Sequence, residues 1–224
     1  AFGSGAMTNS IAEIEDADCI FVIGSNTTSS HPLVATRIFR ALKKGAKLVV
    51  ADPRKIQLAL KADTHVRHNL GTDVALLNGM MHVIVKNNWH DQQFVEERCE
   101  GFEEFKAVID NYPPEKVADI TGVSVDDITK IAEYYAKAEA ASIVYCMGIT
   151  QHTTGVDNVK SLANLAMLTG NMGKESTGVN PLRGQNNVQG ACEEQLAKRT
   201  PAAARLSVTG DVGRSSALPR IRTP

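Results

Sequence analysis

One segment near the carboxyl end of the sequence is unusually dense in groups that could bind an anion. Residues 178–192 are rich in glycine and side-chain amides, and they show the periodicity of neither a helix nor a strand. Arg183 is the only charged residue of this segment, and the planar fork of a guanidinium pairs well with a carboxylate. Gln185 is a candidate cofactor ligand through its amide. We therefore predict that the backbone of this segment lines a site where Arg183 binds an anion.

A second candidate stretch, residues 24–32 (Gly-Ser-Asn-Thr-Thr-Ser-Ser-His-Pro), lies between a predicted strand and a predicted helix. Free N–H groups and the helix dipole at such a point favour a bound phosphate. Ser29 or Ser30 could instead cap the helix with its hydroxyl oxygen. Local sequence supports the helix cap at least as strongly as the phosphate site.

Two acidic residues stand where a nucleotide could be recognised. Asp52 follows a predicted strand, where dinucleotide-binding folds place an acceptor for a ribose hydroxyl, and Arg54 could face a phosphate or stack on a base. Asp73 follows Gly71 and Thr72 at a predicted helix start and could accept the adjacent N–H donors of a guanine. The alternatives are a surface ion pair between Asp52 and Arg54 and a capping or dipole role for Asp73.

Residues 147–152 (Met-Gly-Ile-Thr-Gln-His) form a further candidate loop. Gly148 would permit a close backbone approach, and Gln151 would supply an amide. Together these loops indicate a nucleotide-like ligand. The pattern G-x-G-x-x-G, which lets backbone reach a pyrophosphate in NAD-binding folds, is absent from residues 24–32, and this weakens an NAD interpretation.

The elements that must position these loops follow the pattern of an α/β domain. Apolar runs of strand length are found at 19–24, 47–51, 64–67 and 142–147. Helical periodicity is found at 32–44, 72–86 and 156–168, with a helical insertion at about 90–138. We therefore predict a doubly wound, mostly parallel, Rossmann-like three-layer domain over residues 1–196. Ligands bind beyond the carboxyl ends of parallel strands, so this fold would bring the candidate loops to one edge.

Composition excludes several classes of protein. The 224 residues are 43% hydrophobic, enough to form a core, and no apolar run approaches the ~20 residues of a membrane span. The formal net charge of -1 argues against a nucleic-acid binder that relies on a basic surface. That charge is the sum of two unlike parts. Residues 197–224 carry six basic residues and one acid, a net charge of +5, which leaves a net charge of -6 on residues 1–196. We predict that 197–224 is a disordered basic tail.

The four cysteines, Cys19, Cys99, Cys146 and Cys192, are far apart and contain no C-x-x-C pair. Neither a zinc site nor an iron–sulfur ligand set is predicted from them, and core packing is the preferred role for Cys19 and Cys146. We predict no metal ligand within this sequence. Its first residues show no export signal.

The arginine segment, Val-Asn-Pro-Leu-Arg-Gly-Gln-Asn-Asn-Val-Gln-Gly-Ala-Cys at 179–192, closely resembles the catalytic (alpha) subunit of molybdopterin-dependent formate dehydrogenases. The resemblance covers residues 1 to about 192 and stops there. Its other motifs are Gly-Ser-Gly-Ala-Met-Thr-Asn-Ser (3–10), Ser-His-Pro (30–32), Ala-Asp-Pro-Arg-Lys (51–55), Ala-Leu-Leu-Asn (75–78), Glu-Gly-Phe-Glu (100–103), Asp-Ile-Thr-Gly-Val (119–123), Met-Gly-Ile-Thr-Gln (147–151) and Leu-Ala-Met-Leu-Thr-Gly-Asn (165–171). The arginine segment is the most specific, since related enzymes such as the periplasmic nitrate reductases carry a similar loop with a different residue in place of the arginine.

This resemblance implies an internal fragment of a larger catalytic subunit, which holds molybdenum or tungsten between two molybdopterin guanine dinucleotides. Arg183 matches the family's arginine that orients formate beside the metal. Formate would be oxidised to carbon dioxide, and the electrons would pass to an iron–sulfur cluster. The family positions that line one dinucleotide correspond to Gly24, Asn26, Ser29, Ser30, Asp52, Arg54, Gly71, Asp73, Met147, Gly148 and Gln151. Some members have Asp at the position of Ser29, so a neutral contact would replace an ionic one here.

The resemblance also implies partners. In the family, the metal-ligating Cys or selenocysteine, its adjacent His and the cysteines of a 4Fe-4S cluster lie upstream of residue 1, so the fragment is expected to be inactive alone. The expected partners are formate, the remainder of the catalytic subunit and electron-transfer subunits, with no nucleic acid and no membrane span. We predict a cytoplasmic location, although formate dehydrogenases of this family also occur in the periplasm.

Two other functions fit parts of the sequence. An NAD-binding oxidoreductase domain is supported by the order strand, helix, strand, Asp52, and is opposed by the missing glycine pattern. A noncatalytic nucleotide-binding or interaction module is favoured if the basic tail at 197–224 is functional.

Overall fold

The protein is described here by a computed structural model that covers residues 2, 6–188, 190 and 191. Within these residues five parallel strands form a sheet in the order β3-β2-β1-β4-β5. The strands are β1 (Cys19–Ile23), β2 (Lys47–Ala51), β3 (Thr64–Val66), β4 (Ala141–Tyr145) and β5 (Gly178–Pro181). This order confirms the predicted doubly wound α/β fold, and the described sheet is parallel throughout.

Nine helices and two 3₁₀ turns surround the sheet in the described part of the chain. The helices are α1 (Thr27–Ser30), α2 (Pro32–Lys44), α3 (Asp73–Lys86), α4 (Gln92–Arg98), α5 (Phe102–Ile109), α6 (Pro114–Thr121), α7 (Val125–Ala136), α8 (Met147–Thr150) and α9 (Gly155–Leu168). The 3₁₀ turns are Ala12–Asp16 and Gln57–Lys61. None of the helices in the described residues is long and apolar enough to cross a membrane.

The central strand β1 has a hydrophobic core on each of its two faces. Ile20 and Val22 pack in a core with residues of α2, while Cys19, Phe21 and Ile23 pack in the core formed by α3, α7 and α9. Successive side chains of a strand point to opposite faces, so a continuously apolar strand must be covered on both sides. The three-layer arrangement predicted from this apolar run is therefore present.

The main helices begin and end where local signals predicted. Pro32 occupies the first turn of α2, and Gly45 ends it with a left-handed φ of 100°. Ser124 caps α7, because its hydroxyl oxygen accepts the N–H of Asp127 at 3.1 Å. In α3, every residue except Val74 and Lys86 is buried, as its broad apolar surface predicted.

The predicted helical insertion at about 90–138 contains α4 to α7, with a break before Pro114. Its last helix packs directly on the sheet and on α3, and the side chains of Ile128, Ala132 and Tyr135 are fully buried in that core. Helix α7 therefore belongs to the helical layer that covers one face of the sheet. The predicted basic tail at 197–224 lies outside the described residues.

Two predictions of irregular backbone are wrong. The segment 178–192 begins with strand β5, and the loop after β4 contains the single-turn helix α8. Strand β5 lacks the continuous apolar run of β1, because it contains the buried polar residue Asn180. The side-chain amide of Asn180 donates to Ser142 Oγ of β4 at 2.9 Å. Its position at the edge of the sheet also tolerates Pro181.

Candidate functional site

A close contact between two backbones lies at the carboxyl edge of the sheet. Gly24 follows β1, Gly148 lies in α8 after the neighbouring strand β4, and the N–H of Gly148 donates to the carbonyl oxygen of Gly24 at 3.0 Å. A Cβ on Gly148 would lie 2.6 Å from that oxygen, and Gly24 has a positive φ of 58°. The close approach predicted for Gly148 is thus made to the protein's own backbone, and both glycines line one of two cavities at this edge.

The first cavity lies beyond the ends of β1, β2 and β3 and has a volume of about 220 Å³. Six of the predicted cofactor residues line it, namely Gly24, Asp52, Arg54, Gly71, Asp73 and Gly148. Its remaining lining residues are Pro53, His68, Leu70 and His152. We call it the Asp73 cavity. The fold therefore brings together the residues that the sequence assigned to nucleotide recognition.

Asp52 is a buried carboxylate that organises the turn after β2. Its Oδ1 accepts the backbone N–H of Arg54 at 2.8 Å and lies 3.4 Å from Arg54 Nε. The Asp52 side chain is only 4% exposed, whereas that of Arg54 is 70% exposed. The ion pair considered from the sequence is therefore present around this turn, but its carboxylate is buried, and the Arg54 side chain is largely exposed at the cavity rim.

A buried imidazole–carboxylate pair forms one wall of the Asp73 cavity. His68, just after β3, places Nε2 2.9 Å from Oδ1 of Asp73, the first residue of α3. Both side chains are 4% exposed. No side-chain hydrogen bond caps this helix among the described residues, so the capping role considered for Asp73 is replaced by the bond with His68.

The second cavity lies beyond the ends of β4 and β5 and has a volume of about 450 Å³. Four predicted residues line it, namely Met147, Gln151, Arg183 and Gln185. Most other lining residues are apolar, including Phe2, Val159, Ala163, Val179 and Leu182. We call it the Arg183 cavity.

Contacts with distant parts of the chain hold the backbone around Arg183. His31 Nε2 lies 3.0 Å from the carbonyl oxygen of Arg183, and the Cys146 thiol donates to the carbonyl oxygen of Leu182 at 3.1 Å. The N–H of Leu182 donates to the carbonyl oxygen of Tyr145 at 2.8 Å. Burial raises the pKa of Tyr145, and the charge of Arg183 opposes that shift. A fixed backbone thus carries an exposed guanidinium beside a largely apolar wall.

Three predicted cofactor residues line neither of the two cavities. Asn26 precedes α1 and accepts a hydrogen bond from the Thr28 hydroxyl at 3.3 Å. Ser29 and Ser30 lie within α1 and are exposed. The alternative role of these serines as the cap of α2 is wrong, because His31 occupies that position and no side-chain cap is formed there among the described residues.

Sequence reasoning missed the roles of three histidines, of which His68 and His152 line the Asp73 cavity and His31 contacts the backbone of Arg183. His68 binds Asp73, His31 contacts the Arg183 backbone, and His152 Nε2 lies 2.8 Å from the carbonyl oxygen of Gly148. His31 and His152 lie in the candidate stretches 24–32 and 147–152 but were given no role there, and His68 follows a predicted strand at the functional edge. Among the described residues, no group of three or more His, Cys, Asp or Glu side chains could hold a metal ion.

Comparisons with known proteins show the family of this chain. The molybdopterin oxidoreductase family model matches residues 2–217, so the likeness to the family extends beyond residue 192, where we expected it to stop. The F420-dependent formate dehydrogenase 1 subunit alpha of Methanococcus maripaludis is 58% identical over 193 residues, which are 86% of this chain and 29% of that protein. Formate dehydrogenase H of Escherichia coli is 52% identical over 191 residues, which are 85% of this chain and 27% of that protein.

A solved structure supports the same grouping. Acetylene hydratase from Pelobacter acetylenicus matches the fold with a TM-score of 0.66 and 31% sequence identity, over 71% of this chain and 24% of that one. This chain therefore spans less than a third of the length of each of these relatives. On the family match, the sequence identities and the shared fold, the chain belongs to the molybdopterin oxidoreductase family.

Proposed function

We propose that this chain is part of the catalytic subunit of a formate dehydrogenase, which oxidises formate to carbon dioxide. The observation that carries the proposal is Arg183, which lines a largely apolar cavity on a backbone fixed by His31 and Cys146. Relatives named as formate dehydrogenases, up to 58% identical to this chain, support the choice of substrate. Because one of them is named a subunit alpha, we also propose further subunits as electron-transfer partners.

The residues present fit a guanine dinucleotide form of the cofactor. The Asp73 cavity combines two buried carboxylates with an exposed guanidinium, and the close Gly24–Gly148 backbone contact forms part of its lining. Asp52, Arg54 and Asp73 would hold the nucleoside end, while Met147 and Gln151 would contact the part nearer Arg183. When bound, the cofactor would supply the molybdenum or tungsten that accepts electrons from formate. A 4Fe-4S cluster elsewhere in the subunit would take them onward.

Arg183 would bind and orient the substrate. The two oxygens of formate match the two parallel N–H donors of a guanidinium, so a bidentate pair would fix the direction of the single C–H bond. The apolar wall of the Arg183 cavity removes water from one side of this pair, which strengthens the electrostatic attraction. Oxidation of formate to carbon dioxide releases one proton and two electrons, and neither resides on Arg183.

Replacement of Arg183 in the assembled full-length subunit tests this role. We expect Arg183→Ala to raise KM for formate by about tenfold or more and to lower kcat, because a charge-assisted bidentate contact is lost. Compared with Arg183→Ala, Arg183→Lys should bring KM part of the way back to the wild-type value and restore kcat to a smaller extent, since an ammonium keeps the charge without the planar fork. Steady-state kinetics with formate measure both constants.

Arg37→Ala is the matched control, because Arg37 pairs with Glu15 away from both cavities. We expect this variant to keep the wild-type kinetic constants. Unchanged kinetics in Arg183→Ala, with the metal centre fully loaded, would contradict the proposed role of Arg183.

A further inference from the structure

His68 has no role in the function proposed so far, although its partner Asp73 would hold the nucleoside end of the cofactor. Both side chains are buried, and the free energy lost by removing an imidazole and a carboxylate from water must be compensated by good hydrogen bonds. One bond is present, between Nε2 and Oδ1 at 2.9 Å. The other ring nitrogen, His68 Nδ1, is buried and has no hydrogen-bond partner among the described residues. A buried polar atom left in this way points to a role beyond packing.

The geometry of this pair leaves part of the carboxylate available. An ionised carboxylate only accepts hydrogen bonds, so Nε2 must carry the proton in the bond to Oδ1. Each carboxylate oxygen has about two acceptor positions, and the described residues form no hydrogen bond with Oδ2. Because Asp73 lines the cavity, its Oδ2 is the oxygen left to accept hydrogen bonds from a molecule bound there.

We propose that His68 is a positioning residue that sets the nucleobase selectivity of the Asp73 cavity by holding the Asp73 carboxylate in one orientation. This inference rests on the proposed guanine nucleotide function. A guanine edge offers two adjacent N–H donors, which a fixed carboxylate can accept together, whereas an adenine edge offers a donor beside an acceptor. A carboxylate free to rotate would discriminate less between them.

Two isosteric substitutions separate this role from simple loss of a histidine. In His68→Gln, the amide nitrogen falls close to the position of Nε2 and can still donate to Asp73. In His68→Asn, the shorter amide matches the position of Nδ1 and cannot reach that oxygen. Isothermal titration of the purified chain with GDP and with ADP measures the ratio of the two dissociation constants for each variant.

We expect the wild-type chain to bind GDP about tenfold or more tightly than ADP, the scale of one charge-assisted hydrogen bond. His68→Gln should keep this ratio within about twofold, and His68→Asn should reduce it by about fivefold or more. His82→Gln is the matched control, because His82 is a buried histidine outside both cavities whose Nδ1 contacts the Ile109 carbonyl oxygen at 2.9 Å. It should lower Tm and leave the ratio unchanged.

The outcomes distinguish the proposed guanine nucleotide function from the proposed role of His68. If the wild-type chain shows no preference for GDP, the proposed guanine nucleotide function is wrong and the role of His68 is wrong with it. If the preference is present and His68→Asn keeps it, only the inference about His68 is overturned. Should His68→Asn fail to fold, NMR of the wild-type imidazole decides: the His68 Nε2 resonance must shift on saturation with GDP, and an unmoved resonance overturns the inference.

Discussion

The two cavities at the carboxyl edge of the sheet are built in opposite ways. In the Asp73 cavity, polar side chains are fixed by partners close in sequence, such as Asp52 with Arg54 and His68 with Asp73. In the Arg183 cavity, the walls are largely apolar and the key contact, from His31 to the Arg183 carbonyl oxygen, joins residues 152 positions apart. The first cavity thus obtains its chemistry locally, and the second depends on long-range contacts.

This difference predicts how each cavity responds to substitution. Changes that act on one local pair should alter ligand recognition in the Asp73 cavity without moving the Arg183 segment. Changes at long-range contacts should loosen the Arg183 segment and leave the Asp73 cavity intact. The exception is Gly148, because it lines the Asp73 cavity and belongs to the short helix whose Met147 lines the Arg183 cavity.

The largest effect is expected for Gly148→Ala. Its Cβ would lie 2.6 Å from the Gly24 carbonyl oxygen and 2.7 Å from the Gly24 Cα, so backbone must move. We expect the free energy of unfolding to fall by about 2 kcal/mol or more, with both cavities perturbed. Urea denaturation measures the first effect, and binding of GDP measures the second.

Gly184→Ala is the matched control, because a Cβ at Gly184 meets no described atom within 4 Å. It should change the free energy of unfolding by less than about 0.5 kcal/mol. Equal losses in the two variants would contradict this expectation, since the close contact between Gly24 and Gly148 would then have no special importance for stability.

A smaller, more selective effect is expected for His31→Ala. Loss of its hydrogen bond to the Arg183 carbonyl oxygen should lower the free energy of unfolding by about 0.5–1.5 kcal/mol. Hydrogen exchange at the Leu182 N–H should accelerate, because that amide is held by the same segment. His152→Ala, which removes a contact in the Asp73 cavity, should leave this exchange rate unchanged. Accelerated exchange in both variants would contradict the independence of the two cavities.

The smallest effect concerns Glu13, which anchors the turn that leads into β5 and so to the Arg183 cavity. Hydrogen bonds from the Asn9 amide, from Ser10 and from the N–H of Ser176 lower the pKa of Glu13 from its ordinary 4.5 to about 2. A lowered pKa means that this stabilisation is present above about pH 4.5 and is lost as the pH falls towards 2.

Glu13→Gln should therefore flatten the decrease of unfolding free energy between pH 5 and pH 3, as measured by urea denaturation at a series of pH values. If the decrease were unchanged in the variant, Glu13 would not anchor this turn, and the turn before β5 would need a different support.

Local signals were sufficient to predict most of the fold. The strand at residues 19–23 and the helix ended by Gly45 depend on patterns within a few residues, and both are present. Strand β5 was missed because it contains a buried polar residue, Asn180, whose side-chain amide donates to Ser142 in a strand distant in sequence. A pattern of hydrophobicity contains no information about such a partner.

In the candidate site, too, residues with local signals were predicted and a residue that depends on a long-range contact was missed. Asp52 and Asp73 were predicted because each follows a local start or stop signal, and both line one cavity. His31 lies in the candidate stretch 24–32, but its role was missed because its contact with Arg183 exists only after the strands are placed side by side. Asn26, Ser29 and Ser30 were selected by likeness to a family loop, and their cofactor role stays a prediction.

The pairing of β1 with β4 has a consequence for how the chain reaches this structure. At the start of these strands, the N–H of Ala140 donates to the carboxylate of Asp18, 122 positions earlier in the chain. Closing so long a loop costs entropy before any contact compensates it, and folding dominated by such contacts is slow. Both cavities begin at the other end of this strand pair. The binding surface is therefore expected to be completed late in folding, after the helices between the two strands have formed.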